Sequence, residues 1–249
     1  MKLSRLRSLP LLALVPLALA ACSETESADG GPAAGEPIPA IAAPAGTAWA
    51  DTVTITPEGG YKIGNPDAPL KLIEFASHTC GACANFSATG KQPLKNKYVA
   101  SGVVSFEQRE IFLNSFDVAI AAMTQCGAKE QMQPLSDEVW QNLQQVFAGL
   151  QSNPAAMEAT NQLPVNQRFA KMAEIGGLLD FFAARGLSAD QARTCLTDEA
   201  KIQKLVDTAT AQGEEYKITG TPTFYLNGKK LDVTAWAQLE PILQRAGAR

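Results

Sequence analysis

Apolar and polar residues alternate along the first half of the chain in a way that predicts β-strands. Residues 52–56 alternate between threonine and a β-branched apolar residue, which is the two-residue period of a half-buried strand. Residues 59–66 are rich in glycine and end in Asn-Pro, so they predict a turn-rich link. The run 70–75, Leu-Lys-Leu-Ile-Glu-Phe, predicts a buried central strand, and residues 103–111 predict the next strand.

A helix is expected between these last two strands, directly after the sequence His-Thr-Cys-Gly-Ala-Cys at 78–83. Gly90 and Pro93 are expected to break or bend that helix, because glycine and proline both disfavour a helix interior. Strand, cysteine-rich turn, helix and strand together make a βαβ unit. Such a unit favours a parallel pair of strands.

The middle of the chain, from about residue 113 to about 200, has its apolar residues at helical spacing. Phe116, Ile120 and Met123 share one face of a predicted helix, and similar stripes follow them. We see no strand pattern in this span and therefore predict an all-helical insert. Apolar stripes of this kind are ordinary core in most helices, so we expect no cofactor to bind there.

Strand character returns near the end of the chain. Residues 223–226 predict a strand, and the Asn227-Gly228 pair favours a tight type I′ turn. Residues 230–233 should therefore return as an antiparallel edge strand. A final helix follows, and Thr234 is expected to cap it.

The beginning of the chain predicts export. Residues 1–21 combine a basic start with an apolar run that falls well short of the roughly 20 residues of a membrane-spanning helix, so they indicate a signal peptide. The sequence Leu-Ala-Ala-Cys at 19–22 resembles the bacterial lipobox, which implies cleavage before Cys22 and lipidation of that cysteine. An ordinary signal peptide with an incidental cysteine is the alternative. Residues 22–50, rich in Ala, Gly and Pro, predict a flexible tether.

Composition narrows the classes of partner. Hydrophobic residues make up 46% of the chain, enough to build a core, and the net charge is −4 with both signs scattered. This charge pattern gives no basic footprint, so we expect no nucleic-acid partner.

Cys80 and Cys83 are the strongest candidates for chemistry. A Cys-x-x-Cys pair at a helix start can switch between dithiol and disulfide, because unpaired amide groups there favour the thiolate. Cys80 is the expected exposed, low-pKa nucleophile, and Cys83 is the expected resolving thiol. Metal binding with His78 is an alternative, but a closed zinc site needs four ligands and the chain has one histidine and no second Cys-x-x-Cys. A purely structural disulfide is the other alternative.

Two ionisable residues near the pair also have two interpretations each. Glu74 interrupts the apolar central strand; if buried, it would have a raised pKa and could exchange a proton with Cys83. Alternatively its side chain points to solvent. His78, as imidazolium, would favour the Cys80 thiolate; alternatively it is an ordinary exposed loop histidine.

The runs 72–83 and 219–224 (Thr-Gly-Thr-Pro-Thr-Phe) together resemble the DsbA-like thioredoxin superfamily of periplasmic oxidoreductases. The resemblance covers about 51–249 and implies an α/β fold, a thioredoxin fold with an all-helical insertion. It also implies that Pro222 is a cis proline facing the cysteine pair. The backbone of Thr221 would then be exposed for pairing with a substrate strand.

The same resemblance implies that Glu74 is the family's buried acid and that Cys126 and Cys195 form a second, non-catalytic disulfide. DsbA itself has Pro-His between its cysteines, where this chain has Gly81-Ala82. The missing histidine leaves the direction of the reaction open.

The sequence therefore predicts an enzyme, an exported thiol:disulfide oxidoreductase held on the extracytoplasmic side by a lipid on Cys22. Its expected partners are extracytoplasmic protein thiols and disulfides and a membrane redox protein that resets the cysteine pair. Dithiol oxidation is the expected direction, with a disulfide reductase or isomerase as the alternative. A metal-handling or purely binding lipoprotein is the alternative from a different class.

Overall fold

The computed structural model describes residues 35–249. The predicted signal peptide at 1–21, the lipidation site Cys22 and the first part of the predicted tether lie outside the described residues.

One mixed six-stranded sheet forms the centre of the fold, in the order β1-β2-β4-β3-β5-β6. The β3–β4 pair is parallel and every other pair is antiparallel. The interior strand β3 therefore has β4 on one side and β5 on the other. The strands are β1 (Val53–Ile55), β2 (Tyr61–Ile63), β3 (Leu70–Ala76), β4 (Val104–Glu110), β5 (Thr223–Leu226) and β6 (Lys229–Lys230).

Helices connect and cover the sheet, and the long connection from β4 to β5 is built from helices within the described residues. The α-helices are α1 (Gly81–Phe86), α2 (Ser115–Thr124), α3 (Met132–Gln141), α4 (Leu143–Leu150), α5 (Pro154–Ala159), α6 (Val165–Ile175), α7 (Leu178–Ala183), α8 (Ala189–Thr197), α9 (Glu199–Glu215) and α10 (Trp236–Arg245). Short 3₁₀ turns lie at Trp49–Asp51, Lys129–Gln131 and Thr160–Gln162.

The structure corrects two predictions about strands and one about a cap. Residues 59–66 contain β2, which pairs with both β1 and β4; a three-residue strand between glycines is too short to show a period. The edge strand β6 has two residues rather than the predicted 230–233. Thr234 is not a cap, because α10 begins after Ala235, whose side chain makes no capping hydrogen bond.

The helix after the cysteine pair is not broken where the sequence predicted. It continues beyond α1 in π-helical turns over Ser87–Lys91 and Leu94–Val99, so Pro93 lies within a continuous helical segment. A Cβ at Gly90 would lie 2.6 Å from the Phe86 ring and 3.0 Å from Cβ of Trp236. Gly90 therefore permits close packing against α10 rather than ending the helix.

Residues 35–50 pack along the domain, so the tether prediction is wrong for this part. The N–H of Gly35 donates to the Arg245 carbonyl (2.7 Å), and the N–H of Ile38 donates to the Gly247 carbonyl (2.9 Å). Further along, the N–H of Ile41 donates to the carbonyl of Ser101. The composition of this part is typical of a disordered segment. It is ordered here through hydrogen bonds of its backbone, which the amino-acid types do not predict.

The domain has two large hydrophobic cores. One lies within the helices between β4 and β5 and includes Ile120, Val139 and Phe182, all fully buried. The other lies between the sheet, the helix after Cys80 and α10. Cys126 and Cys195 are joined by a disulfide within the helical part, with an S–S distance of 2.01 Å. No helix in the range 35–249 is both long and apolar enough to cross a membrane.

Candidate active site

Cys80 lies between the end of β3 and the first residue of α1, where it caps the helix. Its Sγ accepts a hydrogen bond from the backbone N–H of Cys83 at 3.1 Å, and its thiol donates to the carbonyl oxygen of Thr221 at 3.2 Å. Both cysteines are in the dithiol form. Cys83 is fully buried and Cys80 is 7% exposed, so Cys80 is more enclosed than the sequence led us to expect.

The Thr221–Pro222 peptide bond is cis. Strand β5 starts directly after it at Thr223 and pairs with β3, which holds the loop against the cysteine pair. The hydroxyl of Thr221 is buried without a hydrogen-bond partner. The family resemblance placed these two residues at the site, and the structure brings the carbonyl oxygen of Thr221 within hydrogen-bond distance of Cys80.

The two thiols have opposite pKa shifts. Hydrogen bonding from Cys83 lowers the pKa of Cys80 to about 6, and Thr221 and the backbone N–H groups of Cys83 and Ala82 act in the same direction. Burial raises the pKa of Cys83, and the hydrogen bond to Cys80 and the charge of Glu74 raise it further. One thiol is therefore ready to attack near neutral pH, while the other holds its proton.

Glu74 lies in the interior strand β3 and is fully buried, so the solvent-facing alternative is wrong. Its neighbours in register are Gln108 on β4 and Phe224 on β5, and neither carboxylate oxygen has a hydrogen-bond partner. Burial raises its pKa to about 8, although the nearby charge of Lys91 opposes the shift. At neutral pH this carboxyl group is mostly protonated, as a proton donor to a buried thiolate must be.

His78 is fully buried, so it is not an exposed loop histidine. Its Nε2 lies 2.9 Å from the Ser136 hydroxyl, its Nδ1 lies 3.3 Å from the Glu110 carboxylate, and its ring stacks on Trp140. Burial lowers its pKa to about 3, with the charge of Lys91 acting in the same direction. The imidazole is neutral at physiological pH, so the predicted role as a cation beside the thiolate is wrong.

A buried polar cluster that was not predicted from the sequence lies beside the site. The ammonium of Lys91 donates to Gln108 and Asp137, each at 2.9 Å, and lies 4.1 Å from the Trp140 ring. The Trp140 indole N–H donates to the carbonyl of Ser77 at 3.0 Å. Nothing local in the sequence distinguishes Lys91 from the surface lysines that follow it, because its burial depends on residues far along the chain.

Comparison with known proteins places this arrangement in a family. The family described as thioredoxin matches residues 56–245. The chain is a thioredoxin-family protein. The predicted fold class is confirmed, since the mixed sheet and its many helices match a thioredoxin-like fold.

One solved relative of this thioredoxin-family protein is described as a protein-disulfide isomerase from Novosphingobium aromaticivorans. It is 27% identical, covers 76% of this chain and 97% of its own, and has a TM-score of 0.71. The alpha-DsbA1 of Wolbachia pipientis is 19% identical, with a TM-score of 0.58 over 78% of this chain and 94% of its own. This second likeness shows the fold alone.

Among curated sequences, a Rickettsia bellii protein named "Putative protein-disulfide oxidoreductase" is 20% identical over 171 residues, which is 69% of this chain and 58% of the relative. A Rickettsia typhi protein of the same description is 20% identical, covering 67% of this chain and 54% of its own. The chain therefore spans little more than half the length of these relatives.

Within the described part of this thioredoxin-family protein, no three His, Cys, Asp or Glu side chains are grouped so that they could hold a metal ion. The histidine that might have joined the cysteines has one ring nitrogen on Ser136 and the other beside Glu110. What the geometry offers is a nucleophilic thiol, a buried partner thiol and a buried acid, which is the equipment of thiol–disulfide exchange.

Proposed function

We propose that this protein is an extracytoplasmic thiol:disulfide oxidoreductase that exchanges disulfides with protein thiols through Cys80 and Cys83, chiefly as a dithiol oxidase. The observation that carries the proposal is the environment of the Cys80 sulfur. It combines a pKa lowered to about 6 with contacts to both Cys83 and the cis-proline loop at Thr221. A structural disulfide would need none of these features.

In the oxidase direction the reaction starts from the Cys80–Cys83 disulfide. A substrate thiolate attacks the sulfur of Cys80, the bond between the two cysteines breaks, and Cys83 leaves as a thiolate. A second substrate thiolate then attacks the substrate sulfur of the mixed disulfide and releases Cys80 as a thiolate. Two electrons pass from the substrate dithiol to the cysteine pair, and the low pKa of Cys80 makes it a good leaving group.

Glu74 is the proton donor in the first step. Burial strongly disfavours a thiolate at Cys83, and any negative charge on the neighbouring Glu74 or Cys80 disfavours it further. The Glu74 carboxyl group, protonated at neutral pH, donates its proton to that thiolate as it forms. In the reverse direction the carboxylate removes the proton from Cys83 so that it can resolve a mixed disulfide.

Thr221 and Pro222 seat the substrate. The cis peptide bond brings the Thr221 carbonyl oxygen to within 3.2 Å of the Cys80 sulfur. An extended substrate segment that pairs with this backbone would place its own cysteine sulfur beside Cys80. Main-chain pairing of this kind accepts many sequences, which suits an enzyme for diverse protein thiols.

The lowered pKa of Cys80 favours the oxidase direction. A thiolate that is stabilised only in the dithiol form makes the disulfide form a better oxidant. A pKa of about 6 lies between the values for thioredoxin (about 7) and DsbA (about 3.5). The Gly81-Ala82 spacer supplies no histidine, and His78 does not replace it, so we expect a moderate oxidant.

A disulfide isomerase or reductase of the same fold is the second candidate. It is favoured by the 27% identity to the N. aromaticivorans protein that is described as a protein-disulfide isomerase. The equilibrium of the cysteine pair with glutathione separates the two. A potential near that of thioredoxin, about −270 mV, would indicate a reductase, and a value shifted toward DsbA, about −120 mV, an oxidase.

Trapping provides a direct test of exchange with proteins. In the Cys83→Ala variant, mixed disulfides between Cys80 and substrate proteins should accumulate, because the resolving thiol is gone. The Cys80→Ala variant is the matched control and should trap none. If the wild-type protein neither oxidises dithiols nor reduces insulin and instead binds copper or zinc stoichiometrically, the proposal is wrong.

We also propose where the protein is located and which kind of partner reoxidises its cysteine pair. A signal peptide ending at residue 21 and a lipid on Cys22 would hold the domain at the extracytoplasmic face, where a membrane redox protein could reoxidise the pair. Incorporation of labelled palmitate into the full chain, abolished by Cys22→Ala, would support the anchor. Equal labelling of both chains would count against it.

A further inference from the structure

Asp117 is a fully buried carboxylate beside the site that takes no part in the exchange steps above. It lies in the first turn of α2, at the start of the helical insert. Its oxygens accept hydrogen bonds from the hydroxyl of Ser77 (2.9 Å to each), the N–H of Thr79 (2.9 Å), the hydroxyl of Thr79 (3.2 Å) and the N–H of Leu113 (2.8 Å). One side chain thus joins the segment before Cys80 to the start of the helical insert.

The donors are arranged for an ionised carboxylate. A carboxylate offers acceptor sites on both oxygens, and here both receive N–H or O–H groups. Burial raises the pKa of Asp117 above its ordinary value, and the hydrogen bonds from Leu113, Ser77 and Thr79 oppose that rise. Buried carboxylates that are satisfied in this way fix the geometry of the groups that bind them.

The segment that Asp117 binds leads directly into Cys80. Strand β3 ends at Ala76, so Ser77, His78 and Thr79 bridge the strand and the cysteine without belonging to either element. The N–H of Cys80 itself donates to the Ser77 carbonyl at 3.2 Å.

The hydrogen bonds that hold this segment come largely from the insert. Asp117 binds Ser77 and Thr79 on one side, and the Trp140 indole binds the Ser77 carbonyl on the other. Asn114, which caps α2, also donates from its amide to the Thr79 hydroxyl at 2.9 Å. The start of α1 supplies the cysteines, and the helical insert determines where the segment before them lies.

We propose that Asp117 is a positioning residue for the exchange reaction: by fixing Ser77 and Thr79, it holds the Cys80 sulfur within hydrogen-bond distance of the Cys83 N–H and the Thr221 carbonyl. This inference rests on the proposed function. The effect is one of position, because Asp117 forms hydrogen bonds with Ser77 and Thr79 in the segment before Cys80. Hydrogen bonds weaken steeply as distance and angle change. A small displacement of the segment would therefore weaken the bond from the Cys83 N–H that favours the thiolate, and the pKa of Cys80 would rise.

The main test compares Asp117→Asn with Asp180→Asn. Asparagine has the same shape, but it replaces one acceptor oxygen by an NH₂ donor, so some of the donors around position 117 lose their acceptor. Asp180 also lies in the first turn of an insert helix, α7, and its side chain is exposed, which makes it a matched control. The measurement is the pH dependence of iodoacetamide alkylation of Cys80 in the reduced full chain, followed by mass spectrometry.

Asp117→Asn should raise the pKa of Cys80 by about half a pH unit or more, which is about a threefold fall in the thiolate-to-thiol ratio near pH 6. Asp180→Asn should leave it unchanged. If Asp117→Asn lowers only the melting temperature and the pKa of Cys80 stays at the wild-type value, Asp117 merely stabilises the insert and the inference is wrong. Alkylation needs no protein substrate, so this result does not depend on whether the wild-type protein exchanges disulfides.

A second variant covers the case in which Asp117→Asn does not fold. Thr79→Val removes one hydroxyl bond to Asp117 while keeping the backbone N–H and a branched side chain of similar size. It should shift the pKa of Cys80 in the same direction by a smaller amount. An unshifted pKa in a folded Thr79→Val chain would overturn the inference as well.

Discussion

Replacing Glu74 by glutamine should stabilise the protein and slow its chemistry at the same time. The carboxyl group is fully buried, its oxygens have no hydrogen-bond partners, and burial raises its pKa from 4.5 to about 8. Because the pKa of Glu74 is higher in the folded state than in the unfolded state, folding is least disfavoured by this group below about pH 4.5, and the stability is lost as the pH rises through about 8. Removing the ionisable group therefore removes a cost that grows over that window.

The magnitude follows from the shift. Each pKa unit corresponds to about 1.36 kcal/mol, so the cost of keeping Glu74 protonated in the folded state is about 3 kcal/mol at pH 7 and approaches about 5 kcal/mol above pH 8. Glu74→Gln should raise the free energy of unfolding by an amount of that order at pH 7. The gain should vanish near pH 4.5.

Urea unfolding of the reduced protein, followed by circular dichroism at several pH values from 4.5 to 8.5, measures this gain. Glu214→Gln, on the exposed surface of α9, is the matched control for the loss of a carboxyl group. In parallel, release of Cys83 from the Cys80–Cys83 disulfide, when a substrate thiolate attacks Cys80, should slow in Glu74→Gln because the proton donor is gone. A pH-independent stability difference, or an unchanged rate, would refute the assignment of Glu74 as the buried acid of the reaction.

Two further predictions concern stability. Burial holds the pKa of His78 near 3, well below its ordinary 6.5, so the stability that the neutral ring contributes above pH 6.5 is lost as the pH falls. Between pH 7 and pH 5, the free energy of unfolding of His78→Gln should therefore fall by about 2 kcal/mol less than that of the wild-type protein. Parallel unfolding curves for the two proteins would contradict this. Replacing Cys126 and Cys195 together by serine removes a disulfide that closes a loop over a separation of 69 residues. The free energy of unfolding should fall by about 4 kcal/mol, because the unfolded chain gains conformational entropy. A fall below about 1 kcal/mol would show that the disulfide adds little stability.

The sequence predicted the parts of the fold that depend on residues close together in the chain. The period of residues 70–75, the turn at Asn227-Gly228 and the cysteine spacing each depend on neighbouring residues, and each corresponds to an observed element. The short strand β2 was missed because its pairing with β1 and β4 supplies the order that three residues cannot encode.

The roles of individual site residues were harder to predict because they depend on burial. Whether His78 is a cation or a neutral ring depends on its burial and on the charge of Lys91, and the residues that enclose it, such as Ser136 and Trp140, lie far along the chain. Lys91 and Asp117 were missed for the same reason, since a buried charge looks like a surface charge until its neighbours are known. Glu74 was recognised because an acid within an apolar strand is itself a local anomaly.

The two edges of the sheet have a consequence for a protein that would handle unfolded chains. Strand β6 consists only of Lys229 and Lys230, both exposed, and strand β1 has three residues, with the ammonium of Lys129 donating to the carbonyl of Val53. Short, lysine-bearing edges are poor templates for strand addition, and they protect a sheet from aggregating with extended polypeptide. Under the proposed function, a substrate chain would find little to pair with at these two edges, and the cis-proline loop at Thr221 would be left as the place where it docks.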